Sequence, residues 1–237
     1  MNKEVVIYKL QKTLFSGYAK LLMETDIQFE CALPDGPKII VANHPTTTDP
    51  FLLSLLSEQP ILIAVTGMAF EVPIFGSILK SAGHIPVDKV NTHGQAIILK
   101  IVEKLANGET VAIFPEGELS PGVGRYSQPK TGAARIALLS GAPVIPVGIH
   151  LENDAYYEKE MITKNYSDTA RIVYRGKYAM TVGKPLLFSG SIDDFPYVRN
   201  VSEEIMESIV RQAKKSEGRI LESISISRIN RSISFQN

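Results

Sequence analysis

Along residues 4–24 apolar side chains recur at helical spacing. Ile7, Leu10, Leu14, Tyr18 and Leu21 share one face, widened by Phe15 and Leu22, while Lys9, Lys12, Ser16 and Lys20 hold the other. This predicts one amphipathic helix. Two placements suit it: packed on a core, or lying in a membrane interface, where a lysine-edged polar face opposite a leucine and aromatic face is expected. Pro34-Asp35-Gly36-Pro37 then breaks the chain.

From Pro37 to about His150 the period switches back and forth. Short apolar runs at Lys38–Ala42, Ile61–Thr66, His84–Val87, Thr110–Phe114 and Val144–Leu151 read as strands. Helical patterns fall between them at Pro50–Ser57, Val72–Ser81, Gly94–Asn107 and Thr131–Ser140, the last two closed by Gly108 and Gly141. Such alternation predicts an α/β fold with a mostly parallel central sheet covered by helices on both faces. Beyond Asn153 the pattern loosens. Ile172–Tyr174 and Tyr178–Val182 read as edge strands and Val198–Ile220 as a helix of mixed charge. With no repeat and no shift in composition, the economical division is a helix over 1–25 and one α/β domain over 26–237.

Composition narrows the function classes. Lys plus Arg number 25, as do Asp plus Glu, so the 237 residues carry no formal net charge and lack the basic excess of a bulk nucleic-acid binder. A single cysteine, Cys31, excludes an intrachain disulfide and a cysteine-rich metal site, and makes a reducing compartment the default. The longest unbroken apolar run, Ile61–Val65, has five residues, against the ~20 of a spanning helix. The N-terminus lacks the compact apolar core of a signal peptide. The expected place is therefore the cytosol or the cytosolic face of a membrane.

Chemistry in parallel sheets collects in loops beyond the carboxyl ends of strands. The loops at 43–49, 66–70, 87–91 and 115–121 fit that position. The first, Asn43-His44-Pro45-Thr46-Thr47-Thr48-Asp49-Pro50, puts a histidine after a strand and an aspartate where a helix begins. The aspartate can orient one imidazole nitrogen, leaving the other to act as a general base; this is the His–Asp part of a triad without its serine, suited to a substrate that brings its own hydroxyl. Asp49-Pro50 is equally an ordinary helix start. The fourth loop, Phe114-Pro115-Glu116-Gly117-Glu118-Leu119-Ser120, exposes a carboxylate at a strand end, and the third, Gly83 to Lys89, ends in an acid–base pair. No pair of histidines has metal-ligand spacing, and neither a P-loop nor a Gly-x-Ser-x-Gly elbow occurs.

In order and spacing these segments resemble the glycerolipid acyltransferase superfamily, typified by the 1-acylglycerol-3-phosphate (lysophosphatidate) acyltransferases. Asn43-His44 to Asp49 matches its His-x4-Asp block, Gly83–Lys89 its second and Phe114-Pro115-Glu116-Gly117 its third. Ala142-Pro143-Val144-Ile145-Pro146-Val147 matches the fourth, and Lys130-Thr131-Gly132-Ala133-Ala134 the segment between the last two. The resemblance covers residues 38–150. It implies acyl transfer from acyl-CoA or acyl carrier protein to a lysolipid hydroxyl, with His44 as base and Asp49 orienting it. No cofactor or metal beyond the thioester co-substrate is expected. Asn43, Lys89, Phe114, Pro115, Glu116, Gly117, Arg125, Lys130 and Pro146 would bind substrate, and the partners would be the acyl donor, the lysophospholipid and a peripheral membrane surface, with no nucleic acid.

Two departures bear on the acceptor. The family usually follows Phe-Pro-Glu-Gly with Thr-Arg-Ser, the arginine serving the acceptor phosphate, whereas this chain has Glu118-Leu119-Ser120. Lys89 stands where arginine is usual, and lacks its two-pronged geometry. Acylation of glycerol 3-phosphate or of a phosphate-free lysolipid, thioester hydrolysis, and a catalytically silent lipid-binding module are the alternatives.

Overall fold

In a computed structural model, which describes residues 3–71, 75–87, 94–152, 156–162 and 167–234, the alternation of the sequence becomes a seven-stranded sheet between two layers of helices. The elements run α1 (Lys3–Leu22), β1 (Glu24–Phe29), β2 (Lys38–Ala42), α2 (Asp49–Leu52), β3 (Ile61–Thr66), α3 (Gly67–Glu71), α4 (Phe75–Ser81) and β4 (Ile85–Val87). They continue with α5 (Gly94–Ala106), β5 (Thr110–Ile113), α6 (Gly132–Ser140), β6 (Val144–Leu151), β7 (Tyr156–Ile162), β8 (Ser167–Val173), β9 (Lys177–Val182) and α7 (Phe195–Ser234). The sheet order is β1-β9-β6-β2-β5-β3-β4, and β7 and β8 form a separate antiparallel ribbon.

Alternation along the central strands decides which helix layer each side chain meets. Ile40 and Ala42 of β2, with Ile145, Val147 and Ile149 of β6, pack under α1 and α2 together with Tyr8, Ala19, Phe51 and Leu52. Their neighbours Ile39, Val41 and Val144 face the opposite layer, against Ile101 and Leu105 of α5, Ile136 of α6 and Val198, Ile205 and Ile209 of α7. Burial on both faces is why these strands read as continuous apolar runs. The long α7 lies directly on β6: a Cβ at Gly148 would fall 1.8 Å from the Ala213 backbone nitrogen, so only glycine permits that approach.

Several local expectations change. Residues 50–57 form only the single turn of α2 and a 3-10 turn over Leu53–Leu56. The helical stretch expected over 72–81 is α4 preceded by the separate α3, with residues 72–74 outside the described residues. Tyr178–Val182 is not an edge. As β9 it is buried between β1, to which it is parallel, and β6, to which it is antiparallel. The true edge there is β1, whose mostly exposed residues carry little periodic signal. Ile172 and Val173 belong to β8 of the ribbon, outside the main sheet.

The first helix is two-faced in a way the single apolar face did not anticipate. Tyr8, Gln11 and Ala19 are buried against the core and Phe15 stacks on Phe51 at 4.6 Å, whereas Leu10, Leu14 and Leu21 remain 71%, 66% and 82% exposed. Tyr8, Phe15 and Ala19 follow the helical period on one side, and Leu10, Leu14 and Leu21 follow it on another.

Candidate active site

His44 leaves the end of β2 and Asp49 opens α2, so the loop between them lies at the carboxyl edge of the sheet. It folds back until His44 Nδ1 is 3.1 Å from Asp49 Oδ2. The aspartate is fully buried. The Thr46 N–H donates to Oδ2 at 2.7 Å, and the hydroxyls of Thr46 and Tyr178 donate to Oδ1 at 2.7 and 2.8 Å. Four donors around one carboxylate are what permits an ionised group away from water. Burial, then the Asp49 charge and the hydrogen bond to it, push the Tyr178 phenol well above its ordinary range, so Tyr178 remains a neutral donor.

The imidazole is stacked on Phe114, ring centroids 4.0 Å apart and planes inclined by 18°. Its side chain retains 16% exposure, and Nε2 has no partner among the described residues. With Nδ1–H directed at the carboxylate, Nε2 holds a lone pair and is free to take a proton.

Glu116 supports the histidine from the other loop. It is buried and accepts from the His44 backbone N–H at 3.1 Å, the Ser120 hydroxyl at 2.6 Å and the Ser127 N–H at 2.7 Å, while the Ser120 N–H donates to the His44 carbonyl at 2.8 Å. The Pro-Glu-Gly turn therefore holds His44 through its main chain.

The other expected site residues separate by position. Phe114 stacks on the imidazole, and Pro115 accepts the Lys130 N–H at 2.8 Å. Gly117 has φ +70°, and the Lys130 side chain lies where a Cβ on Gly117 would point; the Arg125 guanidinium lies likewise over Gly122. Arg125 and Lys130 are exposed beside the Glu116 turn. Asn43 is buried and pairs both ends of its amide with the Ile149 backbone at 2.8 Å, stitching β2 to β6. Pro146 is buried in mid-strand, alternating with Ile145 and Val147, which face the His44 side; it is not brought to the dyad. Lys89 lies outside the described residues, as does His93. Among the described residues no cluster of three or more His, Cys, Asp or Glu side chains could hold a metal ion.

Sequence reasoning missed Thr46, Tyr178 and Arg171. The hairpin runs beside the His44 loop: the Thr47 N–H donates to the Arg171 carbonyl at 2.8 Å, the Arg171 N–H to Thr47 Oγ1 at 3.0 Å and the Val173 N–H to Thr48 Oγ1 at 3.2 Å. Nothing in a stretch such as Thr169-Ala170-Arg171-Ile172 marks that pairing. His84 is structural: buried, its Nδ1 accepts the Ile63 N–H at 3.1 Å and its Nε2 meets Gln11 Oε1 of α1 at 3.3 Å, and burial pulls its pKa down to about 4.

The family model described as Acyltransferase matches residues 24–150, which include both loops of this site. The chain belongs to the Acyltransferase family. A chloroplastic 1-acyl-sn-glycerol-3-phosphate acyltransferase of Brassica napus is 35% identical over 52% of the chain and 36% of its own length. The 1-acyl-sn-glycerol-3-phosphate acyltransferase of Escherichia coli K12 is 29% identical over 51% of the chain and 52% of its own length. The chain thus matches about a third to a half of the length of these relatives. Among solved structures, the 1-acyl-sn-glycerophosphate (LPA) acyltransferase PlsC of Thermotoga maritima superposes with a TM-score of 0.54, covering 86% of this chain and 78% of its own at 24% identity. That likeness of fold covers more of the chain than the matched segment does.

Proposed function

We propose that the chain moves a fatty acyl group from a thioester, acyl-CoA or acyl carrier protein, to the free hydroxyl of 1-acylglycerol-3-phosphate, with His44 as general base. One observation carries this reading: a partly exposed imidazole tied through Nδ1 to a fully buried carboxylate, with Nε2 unpartnered among the described residues. The names of the relatives support the acceptor.

In the step, Nε2 takes the hydroxyl proton as the oxygen forms a bond to the thioester carbonyl carbon. The charge that develops on the imidazole is balanced by Asp49. Collapse of the tetrahedral intermediate breaks the carbon–sulfur bond, and the imidazolium returns its proton to the departing thiolate. An acyl-enzyme is unnecessary, because the attacking oxygen belongs to the acceptor.

Among the described residues no helix is long and apolar enough to cross a membrane. The exposed Leu10, Leu14 and Leu21, bordered by the exposed Lys9 and Lys20, support a peripheral seat for α1 in the surface of the bilayer that holds the acceptor.

The test is formation of phosphatidate from long-chain acyl-CoA or acyl carrier protein and lysophosphatidate, followed by mass spectrometry. The wild type should form it, and His44→Ala should lower turnover by ~10² or more. Thioester cleavage at the same rate with or without lysophosphatidate would instead identify a hydrolase.

A further inference from the structure

The acceptor named above carries a phosphate a short glycerol arm away from the reacting hydroxyl. Recognition of that phosphate calls for anion-binding donors close to His44. The turn that follows Glu116 offers Leu119 there, half-buried and uncharged, while Lys130 and Arg125, over Gly117 and Gly122, are exposed and make no hydrogen bond to the His44 loop among the described residues.

One cation is built into the junction of the two loops. The Arg171 side chain reaches from β8 and is only 12% exposed. Nη1 donates to the Ser120 carbonyl at 2.6 Å and lies 3.4 Å from the carbonyl of Pro45, the residue after the base. Nε donates to Glu158 Oε2 at 2.6 Å, and the Glu158 side chain is half exposed. The Nη2 donors have no hydrogen-bond partner among the described residues, and the guanidinium lies over the Tyr156 ring at 6.0 Å. A guanidinium fixed through Nε and Nη1, with the Nη2 donors left over, is preorganised for a phosphate oxygen, since the side-chain entropy of holding it is already spent.

We propose that Arg171 anchors the acceptor phosphate, holding the two catalytic loops through Nη1 and presenting Nη2 to the lipid headgroup. This rests on the acyl-transfer reading. Glu158 is its counter-charge in the free protein, so binding should strengthen when Glu158 is neutralised. The cation comes from a ribbon distant in sequence, and the hydrogen bonds from Thr47 and Thr48 to β8 set its register against His44.

The test measures kcat and KM for lysophosphatidate at saturating acyl donor in the full chain, with melting temperature as the check on folding. Arg171→Gln should raise KM by ~10- to ~100-fold, a larger factor than the fall in kcat from the lost Nη1 bonds, and Arg171→Lys should fall between the two in KM. Glu158→Gln should lower KM. A brace without a binding role would give the opposite signature: kcat falling in Arg171→Gln, Arg171→Lys and Glu158→Gln together, with KM unmoved. If Arg171→Gln fails to fold, the KM shifts of Arg171→Lys and Glu158→Gln decide, because only an anchor moves them in opposite directions. A wild type that makes no phosphatidate would overturn the acyl-transfer reading itself. A wild type that makes it with a KM insensitive to these changes would overturn the anchor alone.

Discussion

Asp49→Asn separates the charge of the dyad from its hydrogen bonds. The Thr46 backbone N–H points at Oδ2 and cannot reverse, so it fixes the amide oxygen of the new side chain at that position. His44 Nδ1–H can then still donate to it, and the tautomer with a free Nε2 is retained. The new NH2 group takes the place of Oδ1, where it meets only the hydroxyls of Thr46 and Tyr178. Both can rotate their protons and accept. The buried site therefore stays satisfied, and stability should change by no more than about 1 kcal/mol. What disappears is the anionic partner of the imidazolium. With charge centres ~4 Å apart and an effective dielectric constant of about 20, that attraction is about 4 kcal/mol. A half to full positive charge on the ring in the transition state makes the loss ~2–4 kcal/mol, a fall of ~30- to ~1000-fold in kcat. Phosphatidate formation under saturating substrates measures it, alongside thermal melting. A variant that melts normally and keeps kcat within ~5-fold of wild type would refute the general-base argument. One that unfolds would refute the exchange of hydrogen bonds.

His84 makes acid sensitivity a property of the fold. Its pKa of about 4 in the native protein lies below the ~6.5 of an unfolded histidine, so between those values the unfolded chain takes up a proton that the native one does not. Stability from this source is complete above about pH 6.5, declines as pH falls and levels off below about pH 4, with about 2 kcal/mol lost between pH 7 and pH 5. His84→Gln should remove that part of the slope in urea midpoints taken at the two pH values; equal slopes would reject it. On α1, replacing Leu10, Leu14 and Leu21 together by serine should leave melting nearly unchanged, because all three are exposed. The same change should lower co-sedimentation with anionic phosphatidylglycerol vesicles by ~10-fold or more, and undiminished binding would exclude that face as the membrane contact.

The resemblance to an acyltransferase rested on short blocks, and each was legible because its chemistry is local. His44 and Asp49 lie within one loop, and Phe114-Pro115-Glu116-Gly117 is a single turn at a strand end. The doubly covered strands were legible for a similar reason, since burial on two faces leaves an apolar run wherever it occurs. The role of Glu116 was only half visible: a carboxylate at a strand end was plain, its grip on the His44 backbone was not.

By itself, the amino-acid order determined the α/β alternation, the candidate base and the residue that orients it. Tertiary structure alone decided that Tyr178 completes the aspartate's shell, that β9 lies inside the sheet, that α1 buries one side and exposes three leucines on another, and that Arg171 reaches the junction of the two loops. The physical reason is range. Periodicity and turn chemistry report how each residue meets its sequence neighbours and solvent, whereas a hydrogen bond between residues 49 and 178, or 120 and 171, exists only once the sheet and the hairpin have brought distant segments together.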